Sequence, residues 1–143
     1  MKTIKVKDIK LSNNSPIIVI AGLNVLEDKS MAIDVARELK EITYNNSVPF
    51  IFKASFDKAN RSSIESYRGP GIKNSIQIFE AIKKELDIPI ITDIHEQGQI
   101  KEISEVVDIL QIPAFLCRQT DLINAACQTP VSYTHLTLPT NTV

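Results

Sequence analysis

Between residues 53 and 63 the chain reads KASFDKANRSS, directly after the apolar run Val48-Pro49-Phe50-Ile51-Phe52. Lys53, Lys58 and Arg61 are interleaved there with Ser55, Asn60 and Ser62. Lysine offers a compact charge and arginine a planar fork, and both suit phosphate or carboxylate. The neighbouring hydroxyls and carboxamide add neutral donors. Three other apolar runs lead into polar groups in the same way. One leads into Gly22-Leu23-Asn24, a second into Thr92-Asp93-Ile94-His95-Glu96, and a third carries Gln111 and passes through Pro113-Ala114-Phe115 to Arg118. Asp93, an anion among these cations, suits sugar hydroxyls or proton transfer. Such groups describe a site for one or two small phosphorylated, carboxylated compounds.

Each assignment has a plainer rival. Lys53 could snorkel from a strand end, and Lys58 and Arg61 could form a solvated face with Asp57. Asp93 could cap the next helix, and His95 could support a neighbour rather than act directly. Arg68-Gly69-Pro70-Gly71 lacks the spacing of a phosphate-cradling P-loop and reads as a turn. From spacing alone, the chain is an anion-binding α/β protein.

The elements that must position these groups are legible in the apolar pattern. Short runs at Ile17–Ala21, Phe50–Phe52, Ile88–Ile94 and within Val106–Ile112 do not alternate polar with apolar. Strands apolar on both faces suit a parallel sheet covered by helices. Between them, Ala32, Val35, Ala36 and Leu39 fall on one helical face, as do Ile76, Phe79, Ile82 and Leu86. Ile100, Ile103, Val106 and Val107 make a third stripe, and a fourth helix is expected from Thr120-Asp121 with Thr120 as N-cap. The order β-α-β-α-β-α-β-α marks a parallel α/β fold, preceded by a strand or small hairpin in MKTIKVKDIKLS. Four such units make a small open sheet or half of an eight-stranded barrel, and composition does not decide which. In parallel folds chemistry collects at the carboxyl ends of the strands, so the polar groups converge in either case.

The bulk properties narrow the field. The 143 residues carry a net charge of −1, with 43% hydrophobic and 23% charged, so no basic excess points to nucleic acid or an acidic membrane. No run approaches the roughly 18 apolar residues that span a bilayer, and the N-terminus lacks a signal peptide's apolar core. A cytoplasmic protein is expected. Cys117 and Cys127 have no ligand spacing and read as free thiols.

From Pro130 the character changes. PVSYTHLTLPTNTV is rich in threonine and keeps neither a helical nor a strand period. SYTHLTLPT is similar to a translated transposase-adapter sequence. On that likeness, residues 1–129 form one partial domain and 130–143 a non-native tail, with the natural chain continuing beyond Thr129.

KASFDKANRSS closely resembles the hallmark segment of the 3-deoxy-D-manno-octulosonate 8-phosphate synthase family. AGLNVLE at 21–27, SYRGPG at 66–71, ITDIHE at 91–96 and LQIPAFLCRQTDL at 110–122 carry the same resemblance, from about residue 4 to Thr129. The resemblance implies the N-terminal half of a (β/α)8 TIM barrel with a short N-terminal β extension. The implied reaction joins phosphoenolpyruvate to arabinose 5-phosphate in lipopolysaccharide precursor synthesis. It further implies that Lys53, Ser55 and Lys58 surround phosphoenolpyruvate, and that Asn60, Arg61 and Ser62 hold the sugar phosphate. Asp93 would contact the sugar hydroxyls with Gln111 nearby, and Arg118 would reach the neighbouring subunit of a homotetramer. Asn24 stands where a metal-dependent branch of the family has cysteine. A carboxamide cannot replace a thiolate as a soft-metal ligand, so neither metal nor other cofactor is expected. A half barrel has unpaired edges, so residues 1–143 alone are expected to be inactive and aggregation-prone. A related synthase with another aldose acceptor, and a complete non-catalytic phosphosugar-binding module, remain as alternatives.

Overall fold

The structure is a computed structural model that describes residues 3–136. Residues 137–143 of the expected tail lie outside the described residues. The chain opens with an antiparallel hairpin of β1 (Ile4–Val6) and β2 (Ile9–Leu11), turned at Lys7. Four βα units follow: β3 (Val19–Leu23) with α1 (Lys29–Asn45), β4 (Phe50–Ala54) with α2 (Ile72–Leu86), β5 (Ile90–Asp93) with α3 (Gln97–Ser104), and β6 (Ile109–Ile112) with α4 (Thr120–Cys127). A last strand, β7 (Ser132–His135), pairs parallel with β6. The elements match the expected order. The helices also start close to where the apolar stripes place them, although α3 ends before Val106 and Val107, which are buried beyond it.

Strand order decides between open sheet and barrel. The five parallel strands lie in chain order, β3-β4-β5-β6-β7. A doubly wound sheet reverses its order at a switch point, whereas right-handed crossovers without reversal put every helix on one face. Side-chain alternation confirms this arrangement. Phe50, Phe52, Ala54, Ile90 and Leu110 pack with Ala32, Ala36, Phe79, Ile82 and Ile103 of the helices in one core. The opposite faces of the same strands carry Ile51, Ile91 and Ile109, which cluster with Val6 of the hairpin and, among the described residues, with no residue of a helix. The hairpin therefore plugs the amino-terminal end of what would be a barrel lumen, and the sheet is the α/β wall of a partial TIM barrel.

The structure departs from two expectations. The segment after Pro130 was expected to lack strand character, but Ser132–His135 extends the sheet, with Leu110 opposite Tyr133 and Gln111 opposite Thr134. Alternation of Tyr133 with small polar neighbours suffices once a parallel edge offers backbone partners. The N-cap of α4 is Gln119 rather than Thr120, and its side chain makes no capping bond.

Candidate active site

Register builds the site. Gly22, Lys53, Ile91, Ile109 and Ser132 are successive partners across the sheet, as are Asp93, Gln111 and Thr134. Residues two apart on a strand share a face. Lys53 therefore follows Ile51 onto the lumen face, and Asp93 and Gln111 follow Ile91 and Ile109 there. The lower rungs are apolar under the hairpin, and the upper ones are polar toward the carboxyl ends of the strands.

On that face Lys53 Nζ lies 2.8 Å from Asp93 Oδ1 and donates to Ser55 Oγ at 2.9 Å. His95 continues the alternation from Asp93, and its Nε2 stands 3.2 Å from Asp93 Oδ2. Both carboxylate oxygens are thus engaged. Phe56 meets the imidazole edge-on at a centroid distance of 5.9 Å. His95 Nδ1 is buried without a hydrogen-bond partner. The same two strands are tied on their opposite face, where the Thr92 hydroxyl of β5 donates to the Ala54 carbonyl of β4 at 2.7 Å.

These contacts set the charge states. Burial pushes the Asp93 carboxyl up. The His95 hydrogen bond, with the charge and hydrogen bond of Lys53, outweighs burial and holds the carboxyl well below the usual carboxylate range. Burial pushes the Lys58 amine down. Asp93 pulls it back up, while Lys53 and Arg61 add repulsion.

Above the sheet lies a cleft of about 720 Å³. Lys58, Asn60, Arg61, Asp93 and Gln111 line it, together with His95 and Glu96. Its apolar wall comes from Pro113 to Leu116 and from Leu136, which falls in the tail expected to be non-native. Lys53 reaches this cleft through Asp93. Ser55 is fully buried behind Lys53 and positions that amine rather than facing the opening. Asn24, Ser62 and Arg118 are exposed and do not line the cleft. Asn24 stands just past the end of β3, and Arg118 stands between the 3-10 turn of Ala114–Leu116 and α4.

The plainer rivals fare unevenly. Asp57 pairs with Arg68 through both carboxylate oxygens, so it does not neutralise Lys58 or Arg61. Asp93 does not cap α3. That role falls to Glu96, which forms a reciprocal capping box with Gln99. The Arg68-Gly69-Pro70-Gly71 stretch bends at Pro70 ahead of α2 and folds back on the preceding loop, with Lys58 N donating to Arg68 O at 2.7 Å. Sequence reasoning put Glu96 and Pro113-Ala114-Phe115 among the strand-end groups but gave them no role, and it missed Leu116 and Leu136. The run Pro113-Ala114-Phe115-Leu116 after a strand was a usable signal for the wall.

Four βα units with a charged cleft at the carboxyl ends of the strands define a protein of the parallel α/β-barrel class. The sequence model of the DAHP synthetase I family matches residues 2–132, and the chain belongs to that family. Similar curated proteins carry the name 2-dehydro-3-deoxyphosphooctonate aldolase. That of Pseudoalteromonas translucida is 54% identical over 126 residues, which is 88% of this chain and 44% of the relative. Those of Colwellia psychrerythraea and Shewanella amazonensis are each 50% identical over 129 residues, 90% of this chain and 46% of the relative. The chain thus spans somewhat under half the length of these relatives. Among the described residues no helix is long and apolar enough to cross a membrane, and no three His, Cys, Asp or Glu side chains cluster as a metal set.

Proposed function

We propose that this chain is the N-terminal half of a 3-deoxy-D-manno-octulosonate 8-phosphate synthase, the enzyme also called 2-dehydro-3-deoxyphosphooctonate aldolase. The whole protein would condense phosphoenolpyruvate with D-arabinose 5-phosphate and water, and release inorganic phosphate. The observation that carries this reading is the Lys53–Asp93 pair on the lumen face beneath a cleft lined by Lys58 and Arg61.

The arrangement suits the chemistry. The methylene carbon of the enolpyruvate attacks the sugar aldehyde, forming the new carbon–carbon bond. Positive character develops at the enolpyruvate C2 and water adds there. The resulting hemiketal phosphate collapses with loss of phosphate. Lys53 and Lys58 place fixed cations where phosphate and carboxylate must sit together, which stabilises the charge without solvent reorganisation. Asn60, Arg61 and Ser62 are assigned to the sugar phosphate, Asp93 and Gln111 to sugar hydroxyls, and Asn24 to the catalytic set with Lys53, Lys58 and Asp93. Arg118, exposed and outside the lining of its own chain's cleft, fits a contribution to the neighbouring subunit of a homotetramer. Cytoplasmic synthesis of a lipopolysaccharide precursor, without metal or other cofactor, completes the reading.

The family match is named for a different synthase, so a related enzyme with another aldose acceptor is the second reading. Phosphate release by the full-length protein, supplied with phosphoenolpyruvate and one of three acceptors, separates the two. The first reading expects arabinose 5-phosphate to be preferred over erythrose 4-phosphate and N-acetylmannosamine. Preference for either of the others would replace it.

A further inference from the structure

We propose that Arg68 is a positioning residue that keeps the Asp57 carboxylate away from the anion-binding cations; this rests on the reading of Lys58 and Arg61 as phosphate ligands. Asp57 sits next to Lys58 in sequence and four residues from Arg61. A mixed-charge loop of this kind would ordinarily neutralise itself. Here the carboxylate is turned instead to Arg68, whose Nε donates to Oδ1 at 2.8 Å and whose Nη2 donates to Oδ2. A bidentate fork of this kind fixes direction as well as charge. Burial lowers the Lys58 amine, Asp93 raises it, and Lys53 and Arg61 lower it further. Among the described residues Lys58 and Arg61 make no ion pair.

The backbone of the same turn is tied to the cleft. Lys58 N donates to Arg68 O at 2.7 Å, and Arg61 Nε donates to Tyr67 O at 3.1 Å. The Tyr67 hydroxyl anchors the turn to the Leu26 carbonyl at 3.0 Å. Gly69 lies so close to the chain that a Cβ there would stand 2.2 Å from the Phe56 carbonyl oxygen. Arg68 therefore arrives beside Asp57 by way of a turn already fastened through backbone atoms. Removing its guanidinium would leave the turn in place and release a carboxylate next to two phosphate ligands.

A pair of variants in the full-length protein separates sequestration from simple bracing. Arg68→Gln leaves Asp57 unpaired, whereas Asp57→Asn/Arg68→Gln removes the carboxylate as well. Both lose the ionic tie. Sequestration expects Arg68→Gln to raise KM for arabinose 5-phosphate about tenfold with kcat within about twofold, and the double variant to recover most of that loss. A double variant as impaired as Arg68→Gln, or an Arg68→Gln enzyme with unchanged KM, would overturn the proposal. Thermal melting that falls equally in both variants, without recovery of KM, counts against it too. Calorimetric titration with inorganic phosphate supplies a second readout. If the wild-type protein binds phosphate but does not turn over arabinose 5-phosphate, the enzymatic reading fails. Sequestration then stands or falls on whether Arg68→Gln weakens phosphate binding and the double variant restores it.

Discussion

Asp93 is the residue on which the electrostatics of the site turn. Burial opposes its charge, but His95 and Lys53 hold its folded value below the ordinary one. A carboxyl with a depressed folded pKa contributes stability that is fully present above its unfolded value of about 4 and is lost as pH falls through the folded value. Asp93→Asn should therefore flatten the acid limb of the full-length protein's stability below about pH 4. It should also cost about 2 kcal/mol at neutral pH, because a mostly buried Lys53 loses its counter-charge. Urea denaturation at pH 7 and pH 3 checks both, and an unchanged acid limb would contradict the assignment. Lys58 runs the other way. Burial depresses its folded value, so the penalty on its charged form weighs on stability below that value and disappears as pH rises past it. Phosphate binding should weaken on the alkaline side earlier than an ordinary lysine would allow, and Lys58→Arg should move that limb upward. At this scale the sequence showed which groups gather at strand ends, because apolar runs mark those ends. It did not show who pairs with whom. That Asp57 turns to Arg68 rather than to Lys58 depends on a turn folding back across eleven positions, a long-range contact that no local pattern encodes. The His95 contact was closer to legible, since residues 93 and 95 share a face wherever the strand's alternation continues.

The elements hold the site through close backbone approach and apolar packing. At Gly22, an added Cβ would stand 2.1 Å from the Lys53 carbonyl oxygen and 2.9 Å from the Phe52 ring. Gly22→Ala must therefore part β3 from β4, and the expected cost is about 3 kcal/mol. Gly98, within α3, is the control. A Cβ there meets nothing within 4 Å, and Gly98→Ala should stabilise by about 0.5–1 kcal/mol through helix propensity. Phe79 of α2 is fully buried against the sheet, so Phe79→Ala should cost about 3–5 kcal/mol. Chemical denaturation of the three variants beside the wild type checks the ranking. Four helices and four strands were legible because their apolar residues follow helical or continuous patterns. Strand bounds were less so. The first run began at Ile17 in sequence, but the strand begins at Val19, since pairing with β4 and not hydrophobicity sets its start. The strand at Ser132–His135 escaped because an edge offered by β6, rather than its own composition, makes it one.

At the scale of the molecule, the sequential strand order is what makes the lumen face available. Among the described residues β3 and β7 each pair on one side only, and Ile17 and Ile20 beside the β3 edge are 77% and 49% exposed. Residues 1–143 alone should therefore self-associate and release no phosphate. A monodisperse, active 143-residue protein on size exclusion would defeat that expectation. The choice between barrel and open sheet could not be read from composition, because both bury the same kind of strand between the same kind of helix; only strand order separates them. Lys58, Arg61 and Asp93 in the cleft, with Lys53 paired to Asp93 beneath it, are expected to grip phosphate-bearing reactants together. The rate of phosphate release from phosphoenolpyruvate and arabinose 5-phosphate, in the full-length wild type and its Lys53→Ala variant, tests this most directly. Turnover by the wild type, with a loss of about 10³-fold in the variant, is the expected result. Undiminished turnover without the Lys53 amine, or none in the wild type, would contradict it.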